Sequence, residues 1–227
     1  MSLTLESRTT ATVTAARVAG LAVAATSAAT GLVLIWVARL SADRFLYVSE
    51  MGAPEEPTAA VFQLAMVLVA ASALLAAASA PILRPSLRWL AVLPSGAVLA
   101  LAGVAFGVAS QVTCTQYCPL PVGDAFTWQD LIHTGCAVIG FVAASFVMLQ
   151  AAAERRYRGL SRLSLGSAIS VAVIAGVGGL LSLLRLGTDL GGVLELIATT
   201  VALAWLVGLA VFFAIELVRR PAPQGLP

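Results

Sequence analysis

Ala59-Ala60-Val61-Phe62-Gln63-Leu64-Ala65-Met66-Val67-Leu68-Val69-Ala70-Ala71-Ser72-Ala73-Leu74-Leu75-Ala76-Ala77-Ala78-Ser79-Ala80 is a run of 22 residues without a charge, a proline or a glycine, and Pro57 and Pro81 bracket it. A helix needs about 20 mostly apolar residues to cross the hydrocarbon of a bilayer. Comparable runs lie at 18–38, 90–112, 131–153, 165–184 and 193–215. The sequence therefore predicts an all-α fold, an integral membrane bundle of six transmembrane helices forming a single domain over 1–227, with residues 1–14 and 220–227 as poorly ordered tails.

The charges set the topology. All 13 basic residues are arginine. Arg8, Arg17, Arg84, Arg88, Arg155, Arg156, Arg158, Arg162, Arg219 and Arg220 flank the N-terminus, the second and fourth connections and the C-terminus, whereas only Arg39, Arg44 and Arg185 fall on the opposite side. The positive-inside bias then predicts that both termini are cytoplasmic. Eight of the 11 acids, Asp43, Glu50, Glu55, Glu56, Asp124, Asp130, Asp189 and Glu195, lie at or near the outer side. The first run is longer than the 7 to 15 residues of a typical signal-peptide core and ends at an interfacial Trp36, so it reads as a retained helix.

Composition removes several function classes. With 60% hydrophobic residues and a mean hydropathy of +0.98, the chain has too much apolar surface for an ordinary soluble core. The arginines flank helices rather than forming a soluble basic face, which argues against nucleic-acid binding. No Walker motif, glycine-rich phosphate loop or haem-attachment sequence occurs, so no cofactor is assigned. Within the runs, Pro94 predicts a kink in the third helix. Gly103 and Gly107 form a GxxxG that suits close packing between helices of the same chain.

Polar residues gather in three patches near the outer ends. The first is Arg44-Phe45-Leu46-Tyr47-Val48-Ser49-Glu50-Met51-Gly52-Ala53-Pro54-Glu55-Glu56-Pro57, in which the apolar and aromatic residues are expected in the interface while Ser49 and Glu50 face the protein. A serine beside a glutamate is not by itself a nucleophile and base, and capping or tethering of a re-entrant turn is the favoured account of the pair. The second is Thr113-Cys114-Thr115-Gln116-Tyr117-Cys118-Pro119-Leu120-Pro121. On an oxidising face its Cys114 and Cys118 read most simply as a disulfide pinning the loop. Zinc held by Cys114, Cys118, His133 and Cys136 is the sharper alternative, but the spacing matches no standard module, so no metal is assigned. Cys136 reads as a small packing residue within the fourth helix.

The third patch, Asp130-Leu131-Ile132-His133, places a carboxylate and the only histidine of the chain on one helical face. The carboxylate can hold the imidazole in one tautomer as a base or ligand. The plainer reading is a helix N-terminal charge and an interhelical tether. Glu195, about one turn into the sixth helix, and Arg185 complete the set, and ionisable groups within membranes are costly and often functional. The candidate site is therefore His133, Asp130, Ser49 and Glu50 for chemistry, with Arg44, Arg185 and Glu195 for substrate binding.

At these patches the chain resembles a prokaryotic membrane family, domain-of-unknown-function family 998. The resemblance rests on Val48-Ser49-Glu50-Met51-Gly52-Ala53-Pro54 with Pro57-Thr58-Ala59, the Cys118-Pro119 loop, Asp130 with His133, and six helices over nearly the whole chain. It implies a multi-pass protein of a bacterial inner (plasma) membrane, from an actinobacterial source that fits the all-arginine, alanine-rich composition, and brings no assigned reaction. The Ser49-Glu50-Met51-Gly52 turn also resembles, more distantly, the Ile-Ser-Asp-x-Gly turn of the eukaryotic Frag and damage-regulated autophagy modulator families, with Glu50 where those carry Asp.

The leading expectation is a protein that binds or processes a membrane lipid or lipid-linked head group at the outer leaflet. In that reading His133 is the base or ligand, Asp130 its orienter, and Ser49 or Glu50 a substrate contact. A proton-coupled transporter titrating Glu195 and Asp130 is an alternative. So is a non-catalytic scaffold whose outer loops bind an envelope protein partner.

Overall fold

The computed structural model describes residues 2–119, 121, 123–184 and 188–219. Its regular structure is helical, with no strand among the described residues: α1 (Ser2–Ser41), α2 (Ala59–Ser79), α3 (Ser95–Gln111), α4 (Trp128–Ala152), α5 (Arg158–Leu183) and α6 (Thr188–Arg219), joined by short 3-10 turns at Ser49–Gly52, Arg88–Ala91 and Gly123–Ala125. Five of the six are long and apolar enough to cross a membrane, and α3 is a shorter apolar helix. The chain is an all-α membrane bundle.

Several boundaries differ from the sequence reading, each for a local reason. α1 runs back to Ser2, through the stretch expected to be a poorly ordered tail; no proline or glycine interrupts residues 2–19. Residues 220–227, the other expected tail, lie outside the described residues. α3 begins at Ser95 rather than 90 because Pro94 is its N-cap, with φ −61° and ψ 130°, and does not kink it. Proline also biases the residue before it away from helical geometry, so the helix starts where the sequence suggested a bend. At 1.5 Å per residue the 17 residues of α3 span only about 25 Å. The Arg88–Ala91 turn stands in front of it, where the Gln150 amide donates to the carbonyls of Leu90 and Leu93, both at 2.8 Å.

α4 starts at Trp128, ahead of the expected Leu131, because Thr127 caps it by accepting the Asp130 N–H at 3.0 Å. α5 starts at Arg158 rather than 165 and α6 at Thr188 rather than 193, since helical geometry continues into polar turns that a hydropathy window excludes. Glu154 ties together the two connections at this end of the bundle, accepting the N–H of Arg84 at 2.7 Å and of Arg156 at 3.1 Å.

Each helix packs on its sequence neighbours, and α6 returns to α1, so the six close into a ring. Small residues let the backbones meet. A Cβ on Gly31 would sit 3.0 Å from the Ala65 carbonyl of α2, and one on Gly103 would sit 3.1 Å from the Ala70 carbonyl. The GxxxG of α3 is thus spent on α2 within the chain, by close approach rather than by any hydrophobic drive between helices in lipid. One core cluster draws on all six helices with Trp205 and Phe213 as its largest members, and a second, around Ile35, Phe62 and Leu196, lies at the end carrying the 42–58 and 112–127 connections.

Candidate functional site

The 42–58 connection does not spread into the interface as its apolar residues suggested. Leu46, Val48, Met51 and Ala53 turn inward and are almost wholly buried, the first three packed with Ile35 of α1, Phe62 of α2 and Leu196 of α6. The reason is visible in the turn. Gly52 brings its backbone so close to Phe62 that a Cβ would stand 2.7 Å from the ring, and the buried Thr58 hydroxyl donates to the Met51 carbonyl at 2.9 Å. The connection is a plug seated in the end of the ring.

Two carboxylates hold the plug. Glu50, buried, accepts from Arg44 Nη2 at 2.7 Å and from the Tyr47 N–H at 3.3 Å. Arg44 also bridges Glu56 at 2.5 Å and lies 5.1 Å over the Tyr117 ring. Its guanidinium is pushed further towards the protonated form, first by the Glu50 hydrogen bond and then by Glu56, with partial desolvation opposing. Glu195 of α6, partly buried, accepts the Val48 N–H at 3.0 Å and is also engaged by the N–H and hydroxyl of Ser49. A carboxylate accepting from several donors is a strong anchor, stronger than a neutral hydrogen bond of the same geometry.

The 112–127 connection is fixed by Asp130. This residue is fully buried and accepts from the Thr115 N–H at 2.7 Å, the Thr115 hydroxyl at 2.8 Å and the Thr127 hydroxyl at 2.6 Å. A disulfide joins Cys114 to Cys118 across the turn. The turn takes positive φ at Tyr117 (66°) and Cys118 (42°), an uncommon conformation for non-glycine residues. Cys114 is buried, its sulfur 3.4 Å from the Ser49 carbonyl, so the two connections meet there.

His133 does not take Asp130 as its orienter. Its Nδ1 lies 3.1 Å from the Ala109 carbonyl and 2.8 Å from the Val112 carbonyl, both at the C-terminal end of α3. With two acceptors and no donor around it, Nδ1 carries the proton, and in the neutral ring Nε2 is left with its lone pair. That Nε2 is buried and has no hydrogen-bond partner.

His133 lines a cavity of about 80 Å³ enclosed by α1, α2, α3, α4, α6 and the plug. Its walls are mostly apolar and aromatic, with Ile35, Phe62, Phe106, Phe141, Trp205 and Leu206 among them. The polar side chains in the wall are Ser49, His133, Glu195 and Thr199. Thr199 Oγ1, like His133 Nε2, is a buried polar atom without a partner.

The structure therefore brings Ser49, His133 and Glu195 to one cavity. It sets Glu50 and Arg44 apart as plug supports and gives Asp130 to the neighbouring loop. Arg185 lies outside the described residues. The sequence reading did not single out Thr199 or Trp205. Thr199 follows Glu195 at i+4, on the same face of α6, and that spacing was the signal available to find it.

No curated protein and no solved structure matches the chain. The profile of one family, protein of unknown function (DUF998), matches residues 22–212, a span from within α1 to within α6 that takes in both connections and every cavity wall, and the chain belongs to that family.

Proposed function

We propose that this chain binds a membrane lipid or lipid-linked molecule, taken at the outer leaflet, with its apolar part among Phe62, Phe106, Phe141 and Trp205 and its polar part against His133. One observation carries the reading: a buried imidazole nitrogen with a free lone pair in the wall of an otherwise apolar cavity. A buried acceptor left unpaired costs about 1–3 kcal/mol. A ligand hydroxyl donating to Nε2 recovers that cost, and Thr199 supplies a second unpaired group on the same wall. The cavity has space for roughly six waters at 10–15 Å³ each, which suits a head group or a ring with the chain continuing between helices. The outer leaflet follows from the arginine distribution, since the plug and the disulfide loop lie at the arginine-poor end.

Binding is favoured over acyl transfer by the serine. The His133 base that the sequence suggested for Ser49 is not in hydrogen-bond reach of it, since Nε2 has no partner and the Ser49 hydroxyl is directed to Glu195 instead.

The test is native mass spectrometry of the protein extracted gently from its own membrane, comparing wild type with His133→Ala and Thr199→Val. The expected result is a defined lipid retained by wild type and depleted from both folded variants. Identical, nonspecific lipid profiles in all three would sink the proposal and return His133 to the role of an interhelical tether.

A further inference from the structure

We propose that Cys114, Cys118 and His133 form a soft-metal site, of the kind that takes Zn²⁺, which opens when the disulfide is reduced. The spacing in sequence matches no zinc module, yet the fold assembles one. The sulfurs of Cys114 and Cys118 and a ring nitrogen of His133 all lie within 4.8 Å of one another. Cys136, the free cysteine one turn further along α4, is not part of this group.

Three features beyond proximity point to a metal. The first is the set of donors. Two sulfurs and an imidazole, with no carboxylate among them, select Zn²⁺ or another soft ion over Mg²⁺ or Ca²⁺. Asp130, in the first turn of α4, is occupied by Thr115 and Thr127. The second is charge: two thiolates neutralise a divalent ion, which suits a place where Cys114 is wholly buried and His133 nearly so. The third is orientation. A metal-bound histidine almost always donates its other ring N–H to a carbonyl or carboxylate, which fixes the tautomer. His133 meets the N–H half of that arrangement: Nδ1 donates to the Ala109 and Val112 carbonyls, which fixes the tautomer and leaves Nε2 as the ring's free lone pair.

The switch is thiol–disulfide exchange. A dithiol reductant attacks at Cys118, the more accessible of the two sulfurs. It leaves as its own disulfide, and two electrons and two protons go to the Cys114 and Cys118 thiols. Metal binding then displaces those two protons as the thiolates coordinate. Three protein ligands leave a fourth position for water or for the Ser49 carbonyl, which already lies 3.4 Å from the Cys114 sulfur. The metal takes the same His133 Nε2 lone pair that the proposed lipid hydroxyl would take, so the two ligands exclude one another at that atom.

The experiment uses the full chain in detergent, reduced with dithiothreitol, exchanged anaerobically and titrated with Co²⁺ followed by Zn²⁺. The expected result is one Co²⁺ per chain with a thiolate-to-cobalt charge-transfer band, displaced by Zn²⁺ and absent from the oxidised protein. His133→Ala leaves the disulfide pair intact and weakens binding by about 10-fold or more, whereas Cys136→Ser binds as wild type does. The inference is overturned if the reduced wild type takes up no metal, if His133→Ala binds as tightly as wild type, or if the disulfide resists reduction until the protein unfolds. Lipid retention, measured separately on the oxidised protein, reports on the cavity alone.

Discussion

Replacing Asp130 separates a structural role from a catalytic one, and the structure sets the size of the effect. Three donors converge on its carboxylate: the Thr115 N–H at 2.7 Å, the Thr115 hydroxyl at 2.8 Å and the Thr127 hydroxyl at 2.6 Å. A hydrogen bond to a charged group contributes about 1.5–3 kcal/mol, and a plain sum would be misleading. Both threonines are half-buried, so their hydroxyls can turn to water, and the uncompensated loss falls mainly on the Thr115 N–H. We expect Asp130→Ala to destabilise the 112–127 connection by about 2–4 kcal/mol and Asp130→Asn by about 1–2 kcal/mol, because the amide oxygen keeps one acceptor and the amide NH₂ can donate to a hydroxyl. At about 1.4 kcal/mol per tenfold change, hydrogen exchange at Thr115 should accelerate by roughly 30-fold to several-hundredfold in the alanine variant. Lipid retention in the asparagine variant should match wild type, since Asp130 does not line the cavity. If Asp130→Asn instead leaves exchange in 112–127 unchanged and abolishes lipid retention, the carboxylate acts through His133 and the structural assignment is wrong.

Glu195→Gln removes a carboxylate that accepts the Val48 N–H; the 42–58 plug should loosen by about 1–3 kcal/mol, read as faster limited proteolysis within that segment and no change in the 154–157 connection. Gly140→Ala would place a Cβ 2.8–3.0 Å from three atoms of the Phe106 ring. The ring, which packs edge-on against Phe141 at 5.6 Å, has to give way at a cost of about 1–3 kcal/mol, and the lipid retained per chain should change because Phe106 is a cavity wall; an unchanged lipid profile with unchanged stability would count against the packing described. Trp205→Phe deletes the buried indole N–H to Ser164 Oγ bond of 2.9 Å between α6 and α5, and a double-mutant cycle with Ser164→Ala in a thermal-unfolding assay should return a coupling of about 0.6–1.7 kcal/mol.

What the sequence made legible was whatever a helix period and a hydrophobic run record. The six helices and their order were readable from 22-residue runs such as 59–80, and the membrane class from their apolar content. Their ends were not, because capping is a matter of individual atoms: Thr127 starts α4 by accepting one N–H, and Pro94 starts α3 by having none to donate. That Ser49, His133 and Glu195 lie towards one end of the bundle was legible, since they fall in the 42–58 connection and near the starts of α4 and α6. Their roles depended on neighbours far away in sequence. His133 at i+3 from Asp130 suggested a pair, but the carbonyls of Ala109 and Val112, more than 20 positions upstream, hold Nδ1 instead. The inward turn of Leu46, Val48 and Met51 was equally hidden, because an apolar side chain is satisfied by lipid or by protein and only the seat offered by Phe62 and Leu196 decides between them.

The distribution of satisfied and unsatisfied groups carries the final step of the argument. At the loop end of the bundle Glu50, Asp130, Thr58 and Glu195 all have partners at hydrogen-bond distance, so the fold there meets the demand that buried polar groups be paired. Three buried side-chain atoms among the described residues escape that rule, and two of them, His133 Nε2 and Thr199 Oγ1, belong to the cavity wall. The third, Gln150 Oε1, sits on an amide already spent on the carbonyls of Leu90 and Leu93. His133 serves the bundle through its Nδ1 bonds to the Ala109 and Val112 carbonyls, whereas its Nε2 and Thr199 Oγ1 stand on an apolar wall without a protein partner. Water or a ligand in the cavity would pair both atoms, and the lipid and metal experiments distinguish between them.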